Sequence, residues 1–417
     1  MRLWIFHHYA TLPTLNGHIR PYRFATHLKQ KEIETTIFAA SFQHFSGSNL
    51  ITDNNEYLRK EVDGIPFVFI KTPDGTSGIR RVFNMLAFYR GLKKTCYKYA
   101  KTYGKPDCIL ASSPQPMAMQ AGIEIAKKIH VPCICEIRDL WPEAIFNVTN
   151  IITEKDFIGR LLIAGEYSIY RKADALVFTK EGDTDYLKER HWTKAQGGDI
   201  DLAKCFYINN GIELGEWIRQ IRDCTLIDKD LEDSSFKLVY AGAIRPVNNV
   251  ANILDAAKLL KKQNIKFLIY GDGNQKRELE KRVADEQIDN VTFKGFIEKK
   301  YLPYILSKSS ANLLNYSNVN YNWTRGISSN KLFDYLASAK PVISTVKTGY
   351  SIVEKNQCGI EMKRQTPEDL ANAIIYIKNL PTSEYNMYCR NAFATAKEFD
   401  YGILTERLLN VIKMVVK

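Results

Sequence analysis

The 417-residue sequence lacks any uninterrupted apolar run close to the roughly 18 residues that a membrane-spanning helix needs. Its first residues, MRLWIFHHYA, form a short apolar run that ends in histidines, without the longer apolar region and small-residue cleavage site of a signal peptide. Hydrophobic residues make up 45% and charged residues 25%, values that exclude the disordered and fibrous classes. We therefore expect a globular protein that is retained in the cytoplasm.

Several catalytic and metal-binding signatures are also missing. The chain has no Gly-x-x-x-x-Gly-Lys-Ser/Thr phosphate loop, no Gly-x-Ser-x-Gly elbow and no His-Glu-x-x-His segment. Its eight cysteines include no Cys-x-x-Cys pair, and only Cys133 and Cys135 are close together. Several of them lie in apolar strand-like runs, so we interpret the cysteines as reduced core residues and expect no metal site.

Acidic residues are absent from Gly75 to Pro106, and the net charge of the whole chain is +12. Such a surplus favours an anionic partner: nucleic acid, a phosphate-bearing substrate or an acidic membrane. Basic residues alternate with apolar and aromatic ones in this stretch, which predicts a basic amphipathic helix or helix pair. One interpretation is an ordinary surface helix with a solvated basic face. The other is docking of residues 80–105 on an anionic bilayer, where each basic residue contributes about 1 kcal/mol. The basic residues are Arg80, Arg81, Arg90, Lys93, Lys94, Lys98, Lys101 and Lys105.

Short β-branched runs alternate with longer helical stretches, which is typical of parallel βαβ units in an α/β protein. The pattern pauses over 214–235, where we place a link, and then restarts, which predicts two doubly wound α/β halves. Ligands of such sheets bind at the carboxyl ends of the strands, so the residues after each strand are the candidates for function. The predicted strands are Leu3–Phe6, Thr35–Ala39, Phe67–Lys71, Cys108–Ala111, Cys133–Ile137, Ala175–Thr179 and Cys205–Ile208, then Lys237–Tyr240, Phe267–Tyr270, Val291–Phe293, Ala311–Leu314 and Pro341–Ser344.

The strongest local signal of the second half is the segment Phe267-Leu-Ile-Tyr-Gly-Asp-Gly-Asn274. Glycine permits close approach of a ligand to the backbone, and a helix that begins after Gly271, Asp272 and Gly273 would offer free N–H groups to phosphate. The alternative is a simple tight turn between strand and helix. After the strand that restarts the pattern, Gly242 and Arg245 lie on a loop, and Arg245 could pair with a diphosphate.

A third loop of the second half precedes a predicted helix near 329–338. Its residues Gly326, Ser328, Ser329 and Asn330 could aim backbone N–H groups at phosphate oxygens. Asp334, one turn into the helix, could accept hydrogen bonds from a ribose diol or simply favour the helix dipole.

In the first half, the first strand ends at His7 and His8, and Asn16-Gly17-His18 opens a predicted helix. A histidine in this place is either a satisfied core residue or a site residue. The segment Glu136-Ile-Arg-Asp-Leu-Trp-Pro-Glu143 places four charged residues at the end of a buried strand, and we favour a site role for Arg138 and Asp139.

Taken in order, these segments resemble glycosyltransferase family 4, the retaining transferases with the GT-B fold. The resemblance covers essentially the whole chain. Arg138–Glu143 and Gly326–Lys331 look closest to the bacterial subgroup that builds O-antigen and capsule repeat units. The other matching segments are the Gly17 loop, Tyr207-Ile-Asn-Asn-Gly-Ile212, Gly271–Gly273, Val291-Thr-Phe-Lys-Gly-Phe296 and Lys331–Ile343.

The resemblance implies two Rossmann-like domains that face each other across a cleft. Residues 1–213 with 399–417 would bind the acceptor, since the family's last helix crosses back to the first domain, and residues 214–398 would bind the nucleotide-sugar donor. Phe296 and Ile297 would contact the base through the backbone, Asp334 would hold the ribose, and the backbone of Ser328 to Lys331 would hold the diphosphate. The donor-binding residues so predicted are Gly17, Gly242, Arg245, Gly271, Asp272, Gly273, Phe296, Ile297, Ser328, Ser329, Asn330, Lys331, Leu332 and Asp334.

The chain also departs from the family pattern. The first Glu of the family's Glu-x(7)-Glu motif falls on Gly326, and the usual Arg and Lys of the preceding phosphate loop fall on Ala243 and Asn248. Arg245 is a candidate to compensate for these missing charges. On the acceptor side, Arg138-Asp139 takes the place of the usual His-Asp pair.

The resemblance further implies retention at the anomeric carbon without an obligatory metal or other cofactor. Arg245, Lys331 and loop amides would stabilise the departing nucleoside diphosphate. The predicted catalytic residues on the acceptor side are Asp139, Arg138, His7 and His18. We expect a hexosyl or N-acetylhexosaminyl transfer from a UDP-sugar to a polyprenyl-diphosphate-linked saccharide, by an enzyme bound peripherally to the inner face of the membrane.

Three alternatives stay open at this point. A UDP-sugar 2-epimerase would share the fold, although the basic amphipathic stretch argues against it. A nucleic-acid-binding protein would use the positive charge, but we expect no nucleic acid partner because the basic cluster is local and no reader motif is present. A degenerate transferase that binds glycan without turnover would fit the missing Glu.

Overall fold

The computed structural model of the chain describes residues 1–15, 17–75, 78–149, 152–318 and 322–416. The chain divides into two compact units. Unit 1 comprises Met1–Asn209 and Leu404–Lys417, and unit 2 comprises Asn210–Ile403. Each unit is a mixed α/β structure around a parallel sheet, which confirms the predicted fold class.

The described part of unit 1 contains ten strands, of which eight form one sheet and two form a separate antiparallel pair, and helices lie along the larger sheet. Its strands are β1 (Arg2–His7), β2 (Glu34–Ala40), β3 (Phe42–Gln43), β4 (Ser48–Asn49), β5 (Tyr57–Val62), β6 (Ile65–Ile70), β7 (Cys108–Ser112), β8 (Cys133–Ile137), β9 (Ala175–Phe178) and β10 (Cys205–Tyr207). Its helices are α1 (Arg20–Lys29), α2 (Gly78–Tyr103), α3 (Pro116–Ile129), α4 (Glu143–Thr149), α5 (Phe157–Lys172) and α6 (Asp183–Glu189).

The strand order in unit 1 is β10-β9-β8-β7-β1-β2-β6-β5, and every pair is parallel except β5 with β6. The strand order therefore reverses between β1 and β7, where His7 lies opposite Ser112. Leu3 to Phe6 are all buried, because a central parallel strand is covered on both faces. A crevice at such a reversal is where doubly wound sheets bind ligands.

Unit 2 contains a six-stranded parallel sheet with the order β13-β12-β11-β14-β15-β16. Its strands are β11 (Phe236–Ala241), β12 (Ile265–Tyr270), β13 (Val291–Gly295), β14 (Ala311–Leu314), β15 (Val342–Ser344) and β16 (Gly359–Glu361). Its helices are α7 (Leu214–Asp223), α8 (Lys229–Glu232), α9 (Val250–Leu259), α10 (Lys276–Asp285), α11 (Leu302–Ser307), α12 (Asn330–Ala337), α13 (Ile352–Lys355), α14 (Pro367–Lys378), α15 (Thr382–Glu398) and the first residues of α16 (Tyr401–Val415), which passes into unit 1 at Leu404. Here the strand order reverses between β11 and β14.

Two sequence expectations about elements were wrong. The 214–235 stretch, expected to be irregular, contains α7 and α8, because Leu214 and Trp217 form a buried stripe three residues apart on α7. Strand β5 was missed because its charged sequence YLRKEV suits an exposed edge strand and carries no apolar pattern. The short strands β3, β4 and β16 were not predicted either.

Five cysteines are buried, as expected of core residues, while Cys205, Cys224 and Cys389 are half-buried. Among the described residues, no group of three or more His, Cys, Asp or Glu is arranged to hold a metal ion. None of the helices that the structure describes combines the length and the apolar character needed to cross a membrane.

Candidate functional site

The loops that follow β11 and β14 are tied together at the carboxyl edge of the unit 2 sheet. The side-chain amide of Asn315 donates to the carbonyl oxygens of Asn248 and Asn249 at 2.7 and 2.8 Å. The Ser317 N–H donates to the Val247 carbonyl at 2.8 Å. The two loops on either side of the strand-order reversal therefore form one continuous rim.

Lys331, the second residue of α12, extends its ammonium group into this rim. Its Nζ lies 4.4 Å from the ring centre of Tyr316, 4.9 Å from that of Tyr240 and 3.4 Å from the Tyr240 hydroxyl. With the Asn248 amide turned to satisfy its neighbours, its oxygen accepts from Lys331 Nζ at 3.0 Å and its nitrogen donates to the Ala243 carbonyl at 2.8 Å. Burial lowers the pKa of Lys331 to about 7. In the described part of the chain this cation has no carboxylate partner.

The glycines of the rim are required by packing. A Cβ on Gly242 would lie 2.9 Å from Lys331 Cδ, so glycine leaves room for the lysine side chain. A Cβ on Gly271 would lie 1.8 Å from the Gly242 carbonyl oxygen, and one on Gly273 would lie 2.2 Å from that of Ile244. The 271–273 loop thus packs directly on the 242–244 loop, and α10 begins only at Lys276. Asp272 is exposed and accepts a hydrogen bond from the Gly273 N–H at 2.8 Å.

The amino terminus of α12 has no side-chain cap. Ser329 is the capping residue, but its hydroxyl is hydrogen-bonded to the Tyr316 hydroxyl at 2.6 Å. The backbone carbonyl of Ser328 accepts a hydrogen bond from the side-chain amide of Asn210 at 2.5 Å. The N–H groups of Asn330 and Lys331 are left as donors next to the Lys331 ammonium, an arrangement that suits an anion.

Asp334 lies one turn further along α12 and is 7% exposed. It makes no hydrogen bond or ion pair with any residue that the structure describes. Burial raises the pKa of its carboxyl, and Lys299 opposes this. Leu332 corrects an expectation, because its side chain is buried in the core and its N–H donates to the Ser329 carbonyl at 3.1 Å.

The other predicted donor residues lie at the rim without joining the Lys331 cluster. Arg245 is exposed, and its guanidinium has no partner among the described residues. Phe296 follows β13 and is 67% exposed, while Ile297 is half-buried. An exposed aromatic ring beside a strand end is available to a ligand.

In unit 1, Arg138 joins His7 and His18 at the end of β1. Its Nη1 donates to His7 Nε2 at 2.9 Å and to His18 Nδ1 at 3.1 Å, and its own N–H donates to the Ser113 hydroxyl at 2.7 Å. Burial, followed by the charge of Arg138, lowers the pKa of His7 well below its ordinary value and that of His18 to about 3. Both imidazoles are therefore neutral acceptors toward Arg138, and the His18 proton lies on Nε2.

The predicted helix after the first strand begins later than expected, and Asp139 lies apart from the Arg138 cluster. Asn16 lies outside the described residues, and α1 begins at Arg20, with a proline in its first turn. Gly17 has φ +153°, and a Cβ there would lie 2.6 Å from Thr11 Cγ2, so glycine is required. Asp139 is exposed and contacts neither Arg138 nor the histidines through a hydrogen bond or ion pair in the described structure.

Glu136 forms a buried ion pair with Arg20. It accepts from Arg20 Nε at 2.9 Å and from the Ser112 hydroxyl at 2.6 Å, and it is buried. The Arg20 guanidinium also donates to the Ile208 carbonyl at 2.8 Å. This ion pair fixes the ends of three strands below the His7 cluster.

Sequence reasoning missed an aromatic group around His18. The rings of Tyr9 and His44 are 5.4 Å apart, those of His18 and Phe45 are 5.4 Å apart, and Arg81 Nε donates to the Tyr9 hydroxyl at 3.1 Å. These residues come from the segments after β1 and β3 and from α2, which are separated in the chain and meet only in the folded unit.

The basic stretch forms one helix, α2, but it is not free of acids in space. Glu56 pairs with Lys94 and with Lys98, the latter at 2.7 Å, and Glu124 pairs with Lys93 at 2.6 Å. The first turns of α2 instead expose Ile79, Val82 and Phe83, the last with 58% of its surface accessible.

Each unit thus has the form of a doubly wound α/β domain, with polar side chains gathered where the strand order reverses. Two family models match the chain: "Glycosyl transferase 4-like domain" over residues 19–196 and "Glycosyl transferases group 1" over residues 235–379. Residues 19–196 and 235–379 therefore match glycosyltransferase domains, and the two doubly wound units have the GT-B type of fold.

The chain is also similar to individual proteins. It is 25% identical over 224 residues to TuaH of Bacillus subtilis, a protein assigned as a teichuronic acid biosynthesis glycosyltransferase. That match covers 53% of this chain and 52% of TuaH, about half the length of each.

Solved structures share the fold over nearly the whole chain. Sucrose-phosphate synthase from Thermosynechococcus elongatus has a TM-score of 0.71 with 15% identity, over 99% of this chain and 98% of that one. HepE of Anabaena in complex with UDP has a TM-score of 0.67 with 13% identity, over 99% of both chains. HepE has also been solved with UDP-glucose.

Proposed function

We propose that this chain is a retaining glycosyltransferase that transfers a hexose or N-acetylhexosamine from a UDP-linked donor to a lipid-diphosphate-linked saccharide of a bacterial surface polysaccharide. The observation that carries the proposal is the Lys331 ammonium, held by tyrosine rings and an amide without a carboxylate at the β11/β14 reversal. The UDP complexes of HepE support UDP as the nucleotide, and the similarity to TuaH supports surface polysaccharide synthesis.

The diphosphate of the donor would bind beside Lys331. This lysine reaches the space next to Ala243 and Asn248, the two positions where the sequence resemblance expects basic residues. The uncapped N–H groups of α12 and the unpaired Arg245 add further donors. Negative charge grows on the leaving nucleoside diphosphate as the glycosidic bond breaks, and fixed donors at that point stabilise the transition state.

Asp334 would bind the ribose. A buried carboxylate without a hydrogen-bond partner is unfavourable unless a ligand supplies one, and the two hydroxyls of a ribose diol can do so. Phe296 would cover the base with its exposed ring.

Unit 1 would supply the acceptor side. Arg138 fixes the neutral His7 and His18, and the Nε2–H of His18 can orient the acceptor hydroxyl. The new bond from that hydroxyl oxygen to the anomeric carbon forms on the face that the diphosphate leaves. The hydroxyl proton passes to the departing phosphate oxygen, so no protein base needs to be charged.

We also propose peripheral binding to an anionic membrane. The exposed apolar side chains Ile79, Val82 and Phe83 of α2 lie next to Arg80 and Arg81, and α5 exposes a second set at Phe157, Ile158 and Leu161. An apolar face flanked by basic residues is typical of an interfacial helix.

Thermal melting with UDP, UDP-glucose, UDP-N-acetylglucosamine and GDP tests the donor site. A UDP compound at 100 times its Kd should stabilise the wild-type protein by about 2.7 kcal/mol. Lys331→Met should lose most of this shift. Asp334→Asn, tested in addition with 2′-deoxy-UDP, should lose the preference for UDP over that compound. Lys308→Met is the matched control, since Lys308 also lies over a tyrosine ring but is exposed just after the end of α11. A shift with GDP alone would show that the donor nucleotide is GDP rather than UDP. The absence of a shift with all four compounds would contradict the donor site.

A further inference from the structure

A cavity of about 510 Å³ opens at the amino end of the unit 1 sheet. Its walls come from the starts of β1, β2 and β6 and from the end of α2. The volume falls in the range of about 300–1,000 Å³ that is usual for small-molecule sites. Arg2 and His7 are the first and last residues of β1, so about 17 Å of strand separates the cavity from the His7 cluster.

The charges around the cavity balance. Arg2 donates to Glu34 from Nε at 2.9 Å and from Nη2 at 2.7 Å, and Arg59 Nη2 donates to Glu61 at 2.8 Å. Lys29 and Glu32 add one further charge of each sign. A lining with paired charges attracts neither a strongly anionic phosphate nor an apolar chain, and it offers donors and acceptors side by side.

An aromatic surface completes the lining. The rings of Tyr99 and Tyr103 are 4.4 Å apart, and the Arg59 guanidinium lies 5.3 Å from the Tyr103 ring centre. Tyr103 is 44% exposed, while Tyr99 is buried behind it. The Thr35 hydroxyl, also in the wall, is buried and has no hydrogen-bond partner among the described residues.

Two glycines leave room for basic side chains at the cavity rim. A Cβ on Gly64 would lie 2.3 Å from Lys29 Nζ, and one on Gly104 would lie 2.0 Å from Arg2 Nη1. Lys29 Nζ also donates to the Asp63 carbonyl at 2.7 Å. Since these groups are already held in place, a ligand would not have to order them on binding.

We propose that this cavity binds a neutral saccharide of one or two residues, at a site separate from sugar transfer. Sugar hydroxyls both donate and accept hydrogen bonds, which matches alternating guanidinium and carboxylate groups. The C–H face of a pyranose ring is apolar enough to pack on Tyr103, and the nearby Arg59 polarises that ring. The proposal goes beyond the transfer reaction and is independent of the donor-site assignment.

Saturation-transfer NMR on the full chain with excess UDP tests the proposal with three disaccharides: cellobiose, maltose and N,N′-diacetylchitobiose. At least one should receive saturation from the wild-type protein, and Tyr103→Ala and Arg59→Ala should each reduce that signal at least fivefold. Lys60→Ala is the matched control on the same strand, because Lys60 does not line the cavity. Lys331→Met should keep the signal even if UDP binding is lost, which separates this site from the donor site.

If none of the three disaccharides receives saturation from the wild-type protein, the proposal is overturned. It is also overturned if Tyr103→Ala keeps both the wild-type signal and the wild-type melting temperature. Glu61→Gln gives a second variant that keeps the side-chain volume and removes only the charge. Its signal should fall as well.

Discussion

At the scale of single residues, the environment of Lys331 sets its chemistry. Tyrosine rings and one amide oxygen stabilise an ammonium group less than water does, so the pKa of Lys331 falls to about 7. A bound diphosphate would supply the missing negative charge and restore the charged form. Donor binding and protonation of Lys331 should therefore be linked.

We predict that UDP binding takes up a proton above pH 7. At pH 8 the free lysine is largely neutral, so binding should take up about one proton, and this uptake should vanish near pH 6. Calorimetry in buffers of different ionisation enthalpy measures the number of protons. Lys331→Met should show none at pH 8, whereas a wild-type protein without uptake would refute the linkage.

Arg138 should control the titration of His18. The pKa of His18 is about 3, with burial as the larger cause and Arg138 as the second. In Arg138→Met we predict that this pKa rises yet stays below its ordinary value, because burial remains. An NMR titration of the imidazole resonances measures it. Arg90→Met, an exposed arginine on α2, is the control and should leave His18 unchanged.

At the scale of elements, the loops that follow β11 and β12 pack on each other at the edge of the unit 2 sheet. The Ile244 N–H donates to the Asp272 carbonyl at 2.9 Å, and the Gly271 N–H donates to the Gly295 carbonyl at 2.7 Å. The glycines that first suggested phosphate approach are thus explained by one loop lying on another. A ligand then meets a rim whose shape is fixed before binding.

Gly273→Ala should destabilise unit 2. The added methyl would lie 2.2 Å from the Ile244 carbonyl oxygen, an overlap that typically costs about 1–3 kcal/mol. In a chain of this size that is a fall in Tm of several degrees, which calorimetric melting measures. Gly215→Ala is the control, since nothing lies within 4 Å of its added methyl and helix propensity favours alanine. Equal Tm values for both variants would contradict the packing argument.

Helix α2 divides into two parts with different partners. Its second half is neutralised by Glu56 and Glu124, and its first turns carry the exposed apolar side chains. Membrane binding, if α2 provides it, therefore depends on the first turns rather than on the whole basic stretch.

The double variant Val82→Glu with Phe83→Glu should lower binding to vesicles of phosphatidylglycerol and phosphatidylcholine by at least tenfold. Burying one such side chain is worth about 1.5–3 kcal/mol, and 1.4 kcal/mol is a factor of ten. Vesicle sedimentation measures the bound fraction. Leu259→Glu, an equally exposed apolar position on α9, should bind as the wild type does, and identical binding of all three proteins would reject the role of α2.

At the scale of the whole molecule, one buried carboxyl group links stability to pH. Glu166 of α5 accepts from the hydroxyls of Tyr170 at 2.7 Å and Tyr186 at 2.6 Å, and burial raises its pKa to about 8. Between the ordinary value near 4.5 and pH 8, the folded state holds a proton that the unfolded state releases. This group therefore lowers the free energy of unfolding as the pH rises through that window.

Glu166→Gln should remove this dependence, which amounts to at most about 1.4 kcal/mol per pH unit. The melting temperature of the variant relative to wild type should therefore increase from pH 5 to pH 8.5. Scanning calorimetry at four pH values tests it. Glu298→Gln, an exposed carboxylate of unit 2, should run parallel to the wild type, and a constant difference for Glu166→Gln would show that the group does not titrate in this window.

The parallel strands were predictable because burial on both faces leaves continuous apolar runs, and Cys133–Ile137 and Ala311–Leu314 have the predicted bounds. The glycosyltransferase class was likewise evident from the ordered motifs. The Lys331 cluster was not predictable from the sequence, because Tyr240 and Tyr316 come together only where β11 pairs with β14, a contact between distant parts of the chain. In unit 1, packing between separate loops likewise hid the contact of Tyr9 with His44 beside His18.

The order of the two units along the chain bears on how the protein is made. Unit 1 includes Leu404–Lys417, which the ribosome produces only after all of unit 2. Domains fold as they emerge, so a nascent unit 1 lacks this segment while unit 2 is translated. Leu404, Leu408 and Ile412, buried in the finished molecule, join unit 1 last. A chain that ends before Leu404 could still complete unit 2, but its unit 1 would stay incomplete and would be expected to bind chaperones.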